Sequence, residues 1–82
     1  MAAKKQKIKA QRGAESPLEI AFAVNVAKQR KKRKQSQTDF AVAVGLSPSF
    51  LSMLERGVRV GTLQTIDRVA RNLGVRAVDM LR

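Results

Sequence analysis

The chain has 82 residues, enough for one small domain, and a formal net charge of +11. It contains no Cys and no His, which excludes disulfide frameworks, the commonest metal sites and histidine-dependent catalysis. The six carboxylates form no pair typical of acid–base chemistry, so we expect no enzyme, no metal and no cofactor.

The excess of positive charge implies a polyanionic partner, and nucleic acid is the leading candidate. No apolar stretch approaches the roughly 20 residues of a membrane span. The basic N-terminus is not followed by the apolar region of a signal peptide. We therefore expect a cytoplasmic, nucleoid-associated protein that does not contact a membrane.

Most of the charge lies in the first part of the chain. Residues 1–34 contain 11 Lys and Arg against two acidic residues, whereas residues 35–82 contain six against four. Residues 1–15 show no apolar period, which predicts a flexible basic arm. Two interpretations of the arm stay open: a solvated terminus, or a segment that contacts phosphates or a minor groove.

The first helix is predicted from about Pro17 to Lys34. Residues 16–19, SPLE, form a capping box with Pro at the first helical position. Apolar residues at four-residue spacing predict its buried face: Leu18, Phe22 and Val26. The helix ends in a basic run, KQRKKRK, which makes Lys34 a candidate for contact with DNA phosphates.

Two short helices follow. Residues 36–39, SQTD, form a second capping box and predict a helix from Gln37 to about Val44, ended by Gly45. Ser47 is the predicted cap of a third helix from about Pro48 to Arg56, closed by Gly57. The residues expected inward on the first of these two helices are Phe40, Ala41 and Val44.

Thr62 caps a fourth predicted helix from about Leu63 to Leu73, and a short fifth helix follows from about Ala77 to Leu81. The predicted inner face of the fourth helix consists of Leu63, Ile66, Val69, Ala70 and Leu73. No strand pattern is present. The predicted fold class is all-α, with one five-helix domain over residues 16–82.

The second and third helices, with a turn at Gly45, form a helix-turn-helix over about residues 37–56. Leu51 and Leu54 face inward, and Leu46 lies beneath the turn. At about 100° per residue, the outward face of the third helix carries Ser49, Met53, Arg56 and, less squarely, Ser52, with Pro48 at its exposed end and Phe50 on its flank. This face would enter a major groove, but it lacks the Arg, Asn and Gln that make bidentate base contacts at its N-terminal positions.

From Phe22 to Leu81 the sequence resembles the lambda-repressor-like, Cro/XRE-type helix-turn-helix domains. The segments that carry the resemblance, in the family's order and spacing, are Arg30, Ser36-Gln37, Phe40-Ala41, Gly45-Leu46-Ser47, Glu55-Arg56-Gly57 and Leu73-Gly74-Val75. The chain departs from the family at Lys34 and Gln35, where Gly and an apolar residue are usual. That departure predicts either a longer first helix or a different connection.

The resemblance implies roles for individual positions. Gln37 is implied to bind a phosphate at the N-terminus of the second helix, where free N–H groups and the helix dipole favour anions. Arg30 and Glu55 are implied to form a structural salt bridge. The remaining implied positions are Pro48, Ser49 and Met53 at base edges, Ser47, Arg56 and Arg59 at the DNA backbone, and Val75, Val78 and Leu81 in a homodimer interface.

These features predict a sequence-specific transcriptional regulator, most simply a repressor that binds an inverted-repeat operator in double-stranded DNA as a homodimer. The resemblance places it among bacterial, plasmid or phage regulators. Two alternatives stay open: an antitoxin that binds DNA and a protein partner, and a non-specific basic protein that binds nucleic acid. The sequence does not determine the operator, the regulated genes or the sign of regulation.

Overall fold

The computed structural model describes residues 13–82, so the arm predicted for residues 1–15 lies outside the described residues except for its last three positions. The described chain forms four α-helices and a terminal 3-10 helix: α1 (Pro17–Lys32), α2 (Gln37–Val44), α3 (Pro48–Glu55), α4 (Leu63–Leu73) and the 3-10 helix (Ala77–Met80). No residue from 13 to 82 is in a strand. The all-α prediction is confirmed, with the fifth helix a 3-10 turn.

Each α-helix begins at the capping residue that the sequence predicts. At α1 the capping box is complete, because the Ser16 hydroxyl accepts from the Glu19 N–H and the Glu19 carboxylate accepts from the Ser16 N–H. The other α-helices have hydroxyl caps that accept from the N–H three residues later: Ser36, Ser47 and Thr62. A cap of this kind contributes about 1 kcal/mol.

The α-helices also end alike, with a residue of positive φ followed by a return of the chain. Gly takes this position after α2, α3 and α4. After α1 the position is held by Lys34, whose φ is 57°. The Lys34 N–H donates to the Lys31 carbonyl (3.0 Å) and the Gln35 N–H to the Arg30 carbonyl (3.2 Å), the two hydrogen bonds of a Schellman ending.

This ending corrects the prediction that the first helix runs to Lys34. The helix stops at Lys32, because Lys34 adopts the left-handed conformation that reverses the chain. The reversed chain then delivers Ser36 as the cap of α2. Of the two predicted alternatives, the longer first helix is therefore wrong, and Lys34 carries backbone strain.

The core lies where the helices meet, and most of the predicted inner residues are in it. Its fully buried members are Phe22, Val26, Phe40, Ala41, Val44, Leu51, Leu54, Val69, Ala70 and Met80. The C-terminal end is held against α1, because the Asn25 side chain donates to the backbone carbonyls of Met80 (3.0 Å) and Arg82 (3.1 Å). The 3-10 helix thereby closes the core with Met80.

Two leucines predicted in the core are exposed. Leu18 is 58% exposed and Leu63 is 83% exposed, so both predictions are wrong. Each leucine lies in the first turn of its helix, where the helix starts beyond the edge of the core. The two side chains flank a groove of about 330 Å³ that Phe22, Ile66 and Leu81 also line.

Candidate nucleic-acid interface

The turn between α2 and α3 fixes the orientation of the helix-turn-helix. Gly45 has a φ of 80°, and a Cβ added there would lie 3.0 Å from Cδ of Arg68. The Arg68 guanidinium donates to the Gly45 carbonyl (3.3 Å), while Leu46 packs against the core. A glycine is favoured at this position because its backbone conformation has positive φ, whereas the Arg68 side chain could move aside for a Cβ.

The face of α3 predicted to enter the groove is accessible. Leu51 and Leu54 are buried, which agrees with the predicted helix register. Of the remaining side chains, Pro48, Ser49 and Arg56 are exposed and Phe50, Ser52 and Met53 are partly buried. Contact of these side chains with bases stays a prediction.

Phe50 and Met53 are not free to approach DNA over their whole surface. Phe50 packs against the core on one side, and the Arg59 guanidinium lies 5.8 Å from its ring centroid on another. Nη1 of Arg59 is also 3.9 Å from Sδ of Met53. The loop after α3 thus returns a cation to the flank of the helix, an arrangement that helix periodicity does not predict.

An ion pair joins the end of α1 to the end of α3. Arg30 donates to both carboxylate oxygens of Glu55, Nε to Oε2 at 2.8 Å and Nη2 to Oε1 at 3.0 Å. It also donates to the Gln35 carbonyl at 3.1 Å. The Glu55 side chain is 7% exposed and that of Arg30 is 18% exposed. The pair implied by the family resemblance is therefore present, and it is shielded from solvent.

Gln37 is part of the same network. Its side-chain amide donates to Oε1 of Glu55 at 3.1 Å, which fixes the side chain at the N-terminus of α2. An amide nitrogen has two N–H donors, so one remains for another acceptor. The network therefore holds the Gln37 side chain in one place at the start of α2.

The charge state of the network follows from its hydrogen bonds. Burial raises the pKa of Glu55, but the hydrogen bonds from Arg30 and Gln37 and the charges of Arg30 and Lys31 outweigh it, so the pKa lies below its usual value. The hydrogen bond to Glu55 raises the pKa of Arg30. Both groups are thus charged at neutral pH. The positive charge of Arg30 is neutralised by Glu55 rather than by a DNA phosphate.

The cations around the helix-turn-helix fall into two groups. Arg30 is neutralised by Glu55, and Arg33 donates to the Leu73 carbonyl at the end of α4 (3.3 Å). Lys34 and Arg56 are exposed. Contact of these two charges with phosphates stays a prediction.

The predicted dimer residues do not form one exposed surface. Val75 and Leu81 are partly buried and pack against the core, whereas Val78 is 50% exposed. Leu81 also lines the groove between Leu18 and Leu63. Leu81, a predicted dimer residue, thus lines the same groove as Leu18 and Leu63, which the sequence assigned to the core.

The part of the chain that the structure describes, residues 13–82, contains no group of three or more acidic side chains that could hold a metal ion. It also contains no helix long and apolar enough to cross a membrane.

Comparison with known proteins places the chain among regulators. The model of a helix-turn-helix family matches residues 26–79, and no curated protein sequence matches. A hypothetical transcription factor, NHTF, from Neisseria is 27% identical, with a TM-score of 0.72 over 93% of this chain and 90% of that one.

Two further solved structures are similar. The clp gene regulator ClgR from Corynebacterium glutamicum is 28% identical, with a TM-score of 0.69 over 82% of this chain and 87% of that one. The restriction-modification controller protein C.AhdI from Aeromonas hydrophila is 26% identical, with a TM-score of 0.67 over 74% and 92%.

Proposed function

The chain belongs to the Cro/C1-type helix-turn-helix family of DNA-binding regulators, and we propose that it represses transcription by binding an inverted-repeat operator as a homodimer. The observation that carries the proposal is the accessible outer face of α3, with Leu51 and Leu54 buried behind it and Arg56 exposed at its C-terminal end. Such a face fits a major groove with phosphates on both sides. The family is regulatory rather than enzymatic, and we place the protein on the nucleoid.

The proposed contacts divide into two classes. Base contacts come from the outer face of α3 and its flank: Pro48, Ser49, Phe50, Ser52 and Met53. Phosphate contacts come from the ends of α1, α2 and α3: Lys34, Gln37, Ser47 and Arg56. Gln37 suits a phosphate because Glu55 holds its amide in place and the free N–H groups at the start of α2 add to it.

Direct base readout is limited in this proposal. Ser49 has one hydroxyl to offer, and Ser52 is partly buried. Met53 and Phe50 contribute apolar surface suited to thymine methyl groups. Specificity therefore depends in part on the spacing of two half-sites and on DNA shape.

The homodimer is proposed to form through the groove between Leu18 and Leu63, extended by Leu81 and Val78. Two copies of a chain with a charge of +11 repel each other over most of their surface. None of the residues that line the groove is Lys or Arg, and Glu19 is its single charged member. A strongly exposed leucine beside an apolar groove also suits two-fold pairing, in which each copy supplies the same patch.

Selection of bound fragments from a random DNA pool tests the proposal. The salt concentration should be about 0.15 M, because phosphate binding without base contacts weakens steeply with salt. We expect an inverted repeat whose half-sites lie about one helical turn apart. Recovery of no motif would contradict operator binding and favour a non-specific basic protein.

The sign of regulation needs a second measurement. The recovered repeat is placed over the promoter of a reporter gene, and expression is compared with and without the protein. We expect lower expression in the presence of the protein, and no change when the repeat is scrambled. Higher expression from the intact repeat would show activation and refute the repressor part of the proposal.

A further inference from the structure

The loop after α3 supplies the kind of side chain that the outer face of α3 lacks. We propose that Arg59 contacts a guanine edge in the major groove and determines specificity, instead of gripping a phosphate as the family resemblance implies. The inference rests on the proposed function, since it requires α3 to lie in a major groove. It assigns Arg59 to base recognition within that site.

The Arg59 side chain lies against α3. Phe50 and Met53 lie three residues apart on α3 and so share one side of the helix. The Arg59 guanidinium lies 5.8 Å from the Phe50 ring centroid and Nη1 is 3.9 Å from Sδ of Met53. The cation therefore lies against the flank of α3 that carries Phe50 and Met53.

The loop is built to hold it there. Gly57 has a φ of 76°, and the Val58 N–H donates to the Met53 carbonyl at 3.1 Å, which folds the chain back along α3. On the other side of the loop, the Ala14 N–H donates to the Gly57 carbonyl at 2.8 Å. The backbone before Arg59 is thus fixed from two directions.

The hydrogen-bonding capacity of Arg59 also favours a base contact. Among residues 13–82, carboxylates pair with Arg30, Arg71, Arg76 and Arg82, and none pairs with Arg59. A guanidinium has five N–H donors in a planar fork, which matches O6 and N7 of guanine. The cation–π contact with Phe50 and the contact with Met53 restrict that fork before DNA arrives, so less conformational entropy is lost on binding.

The neighbours of Arg59 extend the inference to a second base. Because Phe50 and Met53 present apolar surface beside the guanidinium, a thymine methyl group next to the guanine would complete the contact. We therefore expect a guanine with an adjacent thymine near one end of each half-site.

The test compares the base preferences of the wild type, Arg59→Lys and Arg59→Ala by selection from a random pool, with Arg56→Ala as the matched control. Lys keeps the charge but loses the planar fork. We expect Arg59→Lys to lose about tenfold or more of the preference for guanine at one position of each half-site. We expect Arg56→Ala to keep the wild-type motif and weaken binding to all sequences. Thermal unfolding of each variant shows that the fold is intact.

Two outcomes would overturn the inference, and they differ. If Arg59→Lys keeps the wild-type motif and Arg59→Ala behaves like Arg56→Ala, Arg59 binds a phosphate and the proposed function stands. If the wild type itself selects no motif, the operator proposal fails, and no base preference remains for Arg59 to supply.

Discussion

Replacing Lys34 by Gly should stabilise the fold and weaken DNA binding at the same time. Lys34 is the single residue other than Gly with positive φ in the described chain, at 57°. A left-handed conformation costs an L-residue about 1–2 kcal/mol, whereas Gly loses about 0.5–1 kcal/mol more entropy on folding. From the middle of each range the difference is a stabilisation of about 0.75 kcal/mol, which corresponds to an increase in Tm of about 3–6 °C for a domain of this size.

Lys34→Ala is the matched control. It removes the same charge but keeps a Cβ, so the backbone strain remains. The free energy of unfolding is measured by urea denaturation followed by circular dichroism, with an unchanged m-value as the check that the unfolded states are comparable. DNA binding is measured against salt concentration. Loss of one phosphate contact lowers the slope of log K against log salt by about 0.9 in both variants.

The two measurements refute different steps. If Lys34→Gly is no more stable than Lys34→Ala, the end of α1 is not strained in solution. If both variants keep the wild-type salt slope, Lys34 does not contact a phosphate. We expect a higher free energy of unfolding for Lys34→Gly than for Lys34→Ala, and an equal loss of DNA affinity in the two variants.

Four other substitutions test the network, the DNA surface and the dimer. Glu55→Gln should cost about 3 kcal/mol at neutral pH, the low end for breaking a buried pair, because Arg30 keeps some exposure and one hydrogen bond to a carbonyl. Since the folded pKa of Glu55 is lowered, its contribution is complete above the unfolded value of about 4.3 and is lost as pH falls through the folded pKa. Urea denaturation at pH 7 and pH 3 should therefore show the gap to wild type narrowing in acid; a constant gap would contradict the charge assignment. In fluorescence anisotropy, Arg56→Ala should weaken binding to operator and random DNA alike and lower the salt slope by roughly one. Ser49→Ala should instead reduce the discrimination between the two DNAs. The opposite pattern would reverse the two roles. Leu63→Asp should leave the free energy of unfolding within about 0.5 kcal/mol and convert dimer to monomer in sedimentation, and an intact dimer would move the interface elsewhere.

The sequence alone predicted most of the helix boundaries, because these depend on groups close together in the chain. A hydroxyl at Ser16, Ser36, Ser47 or Thr62 caps an N–H only three residues away. A Gly that takes positive φ, as Gly45 does, stops a helix by its own backbone preference. The register of α3 also followed from periodicity, since Leu51 and Leu54 are buried as expected.

The failed predictions concern residues whose environment is set by distant parts of the chain. Four-residue spacing aligned Leu18 with Phe22 and Val26, but α1 begins beyond the edge of the core, so Leu18 has solvent where Val26 has neighbours. The prediction for Leu63 is wrong for the same reason, because Leu63 lies at the start of α4. The predicted end of the first helix at Lys34 was wrong for another reason, because nothing in the local sequence indicates that this lysine adopts a conformation typical of glycine.

What the sequence by itself determined is thus the number and order of the helices, their caps and the helix-turn-helix, all carried by interactions across three or four residues. What only the tertiary structure decided is the grouping of side chains far apart in the chain. Glu55 joins Arg30 and Gln37 in one network, and Arg59 returns to Phe50. Leu18, Leu63 and Leu81 meet in one groove. Such groupings depend on how the helices cross and where each chain reversal points, and these follow from the packing of the whole core rather than from any local segment.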